Sequence, residues 1–282
     1  MRFCRLLVYD LRQGLSWKKY LLSILLFSAR LFTLHRSIRF YYGASLISVH
    51  ATAGDYILGM FRGMAILQNV SIAEKVIIPI EWLVVCGVSL YNTAVYPAQG
   101  ISIQGQQIFL RTSRSKWWLS KCVWCTASCL LYFVCEVIVI IGAALFGLSE
   151  LSWGNTPEVT TFLFSEVLWE QTIVLAPLTV FLYGILLPFV TLLALCMLQT
   201  CLNLILRPAI SFLITFILIV IAAYFPSEYL VGNGAMIMRS QLFDLAGLNI
   251  YQEMASALLL FLLSIGCGWM IIRKMDLISL EK

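Results

Sequence analysis

Three charged side chains fall inside long apolar runs of this sequence: Arg30, Glu81 and Glu136. Each costs about 2.5–3.5 kcal/mol to place at the centre of a membrane helix, so such residues line a pathway, lock a conformation or hold helices together. Rising about 1.5 Å per residue from the start of each run puts Arg30 at about 15 Å and Glu136 at about 21 Å. An arginine side chain spans that difference, and an Arg30–Glu136 pair is the expectation. Glu81 lies close enough to the end of its run to reach water. Gly54–Asp55 has the dipeptide of an intramembrane aspartyl protease, but that chemistry needs two aspartates sharing a proton, and no span offers a second.

Other reactive patterns are thin. His35 and His50 are the only histidines, and neither has a second ligand at metal spacing. Cys122 and Cys125 stand as CxxC with Cys129 a turn further on, without a second pair. Most of the nine cysteines sit in apolar runs, where they act as small hydrophobes. There is no GxxxxGK[ST], no HExxH and no GxSxG. We therefore expect no catalytic residue, no metal site and no cofactor held by this chain.

The elements that must position these residues follow from composition. The chain of 282 residues is 61% apolar and 12% charged, whereas soluble domains carry about 25% charge. The net charge of +5 is mild, and its cations flank apolar runs instead of forming a nucleic-acid patch. A membrane helix needs about 20 apolar residues. Spans are expected at about 20–42, 76–96, 122–148, 173–203, 208–225 and 252–272, with Leu206–Arg207–Pro208 dividing the long block into two. Residues 1–19 alternate Phe3, Leu6, Leu7, Leu11 and Leu15 with Arg2, Arg5, Arg12 and Gln13, the pattern of a helix lying in the membrane interface. An uncleaved first span is expected in place of a signal peptide.

With the N-terminus cytoplasmic, the inner segments hold thirteen of the nineteen Lys and Arg residues. The outer segments hold Glu150, Glu158, Glu166, Glu170, Glu228 and Asp244. This bias places both termini inside. Trp17, Trp117 and Trp118 then fall at the inner boundary, as interfacial anchors. The expectation is one all-α integral membrane domain over 1–282, with six transmembrane helices and an N-terminal interfacial helix.

Residues 105–121, GQQIFLRTSRSKWWLSK, resemble the cytoplasmic connection between the second and third spans of type-2 ABC-transporter permeases, and residues 81–97 look like their second span. The layout is similar along the whole chain; the residue resemblance is confined to about 81–121. The first span is more charged in its outer half, and 43–75 is longer, than in the shortest members of that family. The resemblance implies the permease subunit of a bacterial exporter in the cytoplasmic membrane. It implies a separate ABC ATPase carrying ATP and Mg, and a second permease copy or a paralogue. It also implies a coupling helix within 97–121, carried onto Gln104, Gln106, Gln107, Arg111 and Arg114. The cargo class is amphipathic: a peptide or bacteriocin, a lipid-like molecule or a drug. A membrane assembly or sensor subunit is the alternative, and an intramembrane enzyme a third.

Overall fold

The computed structural model describes residues 3–43, 50–66, 79–99, 112–168, 173–244 and 247–274. Among them the regular elements are helical: α1 Phe3–Gly14, α2 Trp17–Gly43, α3 Ala53–Met60, α4 Ile80–Ala94, α5 Tyr96–Gln99, α6 Arg114–Leu145, α7 Pro157–Leu163, α8 Pro177–Leu202, α9 Pro208–Tyr224 and α10 Ile250–Lys274. Four of them, α2, α6, α8 and α10, are long and apolar enough to cross a membrane, as a multi-pass membrane protein requires. Helices α4 and α9 have 15 and 17 residues.

Each long helix buries a stripe and turns other apolar residues outward. On α2 the buried positions are Tyr20, Ser23, Phe27, Leu31, Leu34 and Ile38, at spacings of three or four. Leu21, Leu25 and Phe32 on the same helix are exposed, as suits a surface facing lipid rather than water.

At the centre stands α8, packed most extensively along α10 and also against α6 and α4. Its residues Leu182–Leu186 form a π-helical turn, and Pro188 explains it. A proline in mid-helix has no N–H and its ring crowds the carbonyl four residues back, so the helix widens just before it. Pro208 does the opposite, opening α9 at its first position, where no N–H is needed. Inside the bundle, Phe133 stacks on Phe61 at 5.4 Å and meets Phe189 edge-on at 5.5 Å. Tyr132 donates to the Val85 carbonyl at 2.7 Å, and Tyr20 and Ser128 share a hydrogen bond of 2.9 Å. Seven of the cysteines are buried among these residues; Cys4 on α1 and Cys267 on α10 are exposed.

The end of the bundle away from α1 carries an ordered cap. Backbone bonds join Ala53 and Gly54 to Glu150 and Ser152. Asp55 serves this cap. It closes a capping box with Thr52 at the start of α3, and its carboxylate accepts from the Thr156 backbone (3.0 Å) and the Thr160 hydroxyl (3.1 Å). Burial outweighs these bonds and pushes its carboxyl above the ordinary carboxylate value. In the same cap Arg239 is enclosed, donating to the carbonyls of Ala222 (2.7 Å), Ala223 and Met64 (3.2 Å) and to the side chain of Asn233 (2.6 Å). Burial lowers its pKa to about 10.

Candidate functional site

Three helices meet around one carboxylate at the α1 end of the bundle. On α1 the buried positions are Leu6, Asp10 and Gly14, one face at a spacing of four. The absent side chain of Gly14 leaves room for the Trp124 indole, which a Cβ would overlap. That close approach carries Asp10 into the gap between α5 and α6. There Lys121 Nζ donates to Asp10 Oδ1 at 2.8 Å, Tyr96 donates to the same oxygen at 2.9 Å, and Ser120 donates to Oδ2 at 2.6 Å. The Asp10 and Lys121 side chains are 2% and 3% exposed. Lys121 Nζ also lies 4.3 Å from the Tyr96 ring centroid and 5.2 Å from that of Trp117. Burial first, and the Asp10 carboxylate second, push the Tyr96 phenol up, so it acts as a donor here.

The start of α6 is also fastened to α10. Arg114 Nη1 donates to the Arg273 carbonyl at 2.6 Å, Trp118 Nε1 to the Ile265 carbonyl at 2.9 Å, and Trp269 Nε1 to the Ser115 hydroxyl at 3.1 Å. The Arg273 guanidinium caps the Trp269 ring at 3.9 Å.

Several expected residues take other positions. Trp117 and Trp118 are buried, not turned outward as anchors. Gly268 on α10 supplies the reason for Trp118, since a Cβ there would overlap its ring. Trp17 is exposed at the start of α2. Arg30 pairs with Glu81, not Glu136, and also donates to the Gly59 carbonyl at 3.2 Å. Rise along a helix fixes depth but not azimuth: Arg30 looks toward α4, while Glu136 lies inside the bundle, and both its oxygens lack a hydrogen-bond partner among the described residues. Gln104, Gln106, Gln107 and Arg111 lie outside the described residues. No three His, Cys, Asp or Glu residues gather at metal-binding distance among the described residues.

Sequence reasoning missed Asp10, Ser120 and Tyr96 as a unit. One signal was present: Asp10 lies four residues after Leu6 and three after Leu7, on the apolar face of its own helix. A carboxylate there needs a buried partner.

A family profile described as a protein of unknown function, DUF2705, matches residues 62–278. This chain belongs to that family. No curated protein and no solved structure matches it.

Proposed function

We propose that this member of the DUF2705 family is the membrane-spanning subunit of an ATP-driven exporter in the bacterial cytoplasmic membrane, working with a separate ATPase. In this reading α2, α4, α6, α8, α9 and α10 are six spans. The shorter α4 and α9, about 22 and 25 Å long at 1.5 Å per residue, are met by local thinning of the bilayer. Both termini face the cytoplasm, because the cations cluster on the side of α1. The cap built on Asp55 and Arg239 then faces outward. The amphipathic cargo leaves between this chain and a second permease subunit, and ATP and Mg belong to the partner ATPase.

The observation that carries the reading is the Asp10 node. Tyr96 precedes the expected coupling segment, residues 104–114, and Ser120 and Lys121 follow it; both flanks of that segment bind one buried carboxylate on α1. A push on that segment is thereby delivered to α1 and to the first turns of α6 together. Arg114 extends the linkage to α10 through the Arg273 carbonyl. A force-transmitting element needs a stiff root of this kind, and a loop that only satisfies the positive-inside bias does not.

The test is copurification from native membranes in mild detergent through a C-terminal tag, with ATP hydrolysis assayed in the eluate. An ATPase that accompanies the wild type and is lost or uncoupled by Arg111→Glu supports the reading. An Asp10→Asn variant that keeps the ATPase bound but uncouples hydrolysis from transport assigns the node to transmission. A folded, intact protein that brings down no ATPase overturns the exporter reading and favours an assembly or sensor subunit.

A further inference from the structure

Apart from the Asp10 node, the opposite end of the bundle holds a second concentration of charge, around a cavity of about 300 Å³. Arg30, Thr33, Ser37 and Tyr41 line it from α2, Glu81 from the first turn of α4, and Arg62 from beyond α3. The α2 residues recur at three, four and four, so they form one polar stripe along a helix whose other faces meet the core and the surroundings.

The two ion pairs here are lopsided. Arg30 pairs with Glu81, whose side chains are 10% and 59% exposed. Arg62 Nη2 pairs with Glu166 at 2.5 Å, with 26% and 57% exposed. In both, the cation is the more enclosed partner and the carboxylate is more than half open to water. Arg30 has further donor capacity: its Nε is buried without a hydrogen-bond partner. Thr33 and Ser37 already donate to carbonyls on their own helix, at 2.7 and 3.0 Å, so their hydroxyl oxygens remain as acceptors. The cavity therefore offers two guanidiniums for an anion, and for a nearby primary amine the Glu81 carboxylate in its lining, hydroxyl acceptors, and Glu166 beside it on Arg62.

We propose that this cavity binds the zwitterionic phosphate–amine headgroup of an outer-leaflet lipid, with the phosphate between Arg30 and Arg62 and the amine toward Glu81 and Glu166. Guanidinium forks match phosphate oxygens in geometry. An anion alone would leave the two glutamates paired only with water, whereas a phosphate–amine headgroup gives them a cationic partner as well. Leu26 and Leu22, one and two turns before Arg30 on the same side of α2, are half-buried and exposed respectively, and give the acyl chains a surface beside the site. The site needs no ATPase; only its outer-leaflet placement rests on the orientation proposed above.

The test is native mass spectrometry of the detergent-purified full chain, delipidated and titrated with dioctanoyl phosphatidylethanolamine, phosphatidylglycerol or phosphatidylcholine. The wild type should hold one phosphatidylethanolamine in preference to the other two. Loss of one charge-assisted contact in Arg62→Gln should weaken that binding by about tenfold or more, and Glu81→Gln should erase the preference over phosphatidylglycerol. Arg62→Gln is the decisive variant because Arg62 is more exposed than Arg30, so its replacement disturbs folding less. Equal binding of phosphatidylethanolamine and phosphatidylglycerol by the wild type overturns the assignment. So does unchanged binding by a folded, monodisperse Arg62→Gln protein, or occupancy by an amphipathic zwitterionic peptide with no lipid bound.

Discussion

The two charged regions of this protein obey different electrostatics. At the α1 end Asp10 and Lys121 are both sealed from water, and every oxygen of the carboxylate has a donor. At the opposite end each pair joins a more enclosed arginine to a glutamate more than half exposed. A sealed pair cannot lose one member without stranding the other in a low-dielectric interior. A half-open pair can exchange its carboxylate for water or for a ligand at little cost. The Asp10 node is thus built to hold three elements together, and the two arginine–glutamate pairs to be rearranged.

The sharpest way to break this contrast is Asp10→Ala. It leaves the Lys121 ammonium uncompensated, and a loss of about 3–5 kcal/mol is expected, read as a lowered thermal midpoint in detergent. Adding Lys121→Met should restore most of it, because an apolar pair of similar volume often replaces a buried ion pair without loss. If the single and double variants melt alike, the node is not a sealed pair. Next in size are Gly14→Ala and Gly268→Ala, each of which drives a Cβ into a buried tryptophan ring. Each should cost about 1–3 kcal/mol, and Gly14→Ala should also expose α1 to protease before the rest of the bundle.

The cap built on Asp55 should respond to pH. Burial raises the Asp55 carboxyl from its ordinary 3.8. Between the unfolded and folded pKa the folded cap binds more protons, so its stability contribution is complete below the unfolded value and falls as pH rises through the folded one. Hydrogen exchange in residues 50–60 should therefore quicken as pH rises through that window, after correction for intrinsic rates; in Asp55→Asn that pH dependence should vanish. The smallest effect belongs to the Arg62–Glu166 pair: Arg62→Gln or Glu166→Gln should change stability by about 0–1 kcal/mol. A double-mutant cycle returning several kcal/mol would erase the contrast with Asp10.

Much of the helical frame could be read from the chain. Apolar length and the Arg207–Pro208 break located helices that the structure places within about four residues, including the 17-residue α9, except that α6 begins eight residues before its expected start. Spacing also revealed the amphipathic α1. What stayed hidden is partner choice. Asp10 and Lys121 lie 111 positions apart, and no periodicity links them. Depth alone suggested Arg30 with Glu136, yet helix rotation decides which face meets which neighbour, and that depends on packing partners the sequence does not name. Trp117 and Trp118 have the composition of a headgroup belt; only Gly268, 150 residues away from Trp118, shows that a ring fits inward there. The stripe Arg30, Thr33, Ser37 and Tyr41 was legible as a helical face, but not as one wall of a cavity whose other wall comes from Arg62 and Glu81.

The distribution of thiols gives the protein an experimental handle. With Cys4 and Cys267 exposed and the other seven cysteines buried, the natural sequence already approximates a two-label background for spectroscopy. Spin labels on those two sulfurs would form a ruler between α1 and α10 without any engineered site. Their distance distribution would follow α1 through a working cycle, and uptake of a third label would mark the moment the bundle itself comes apart.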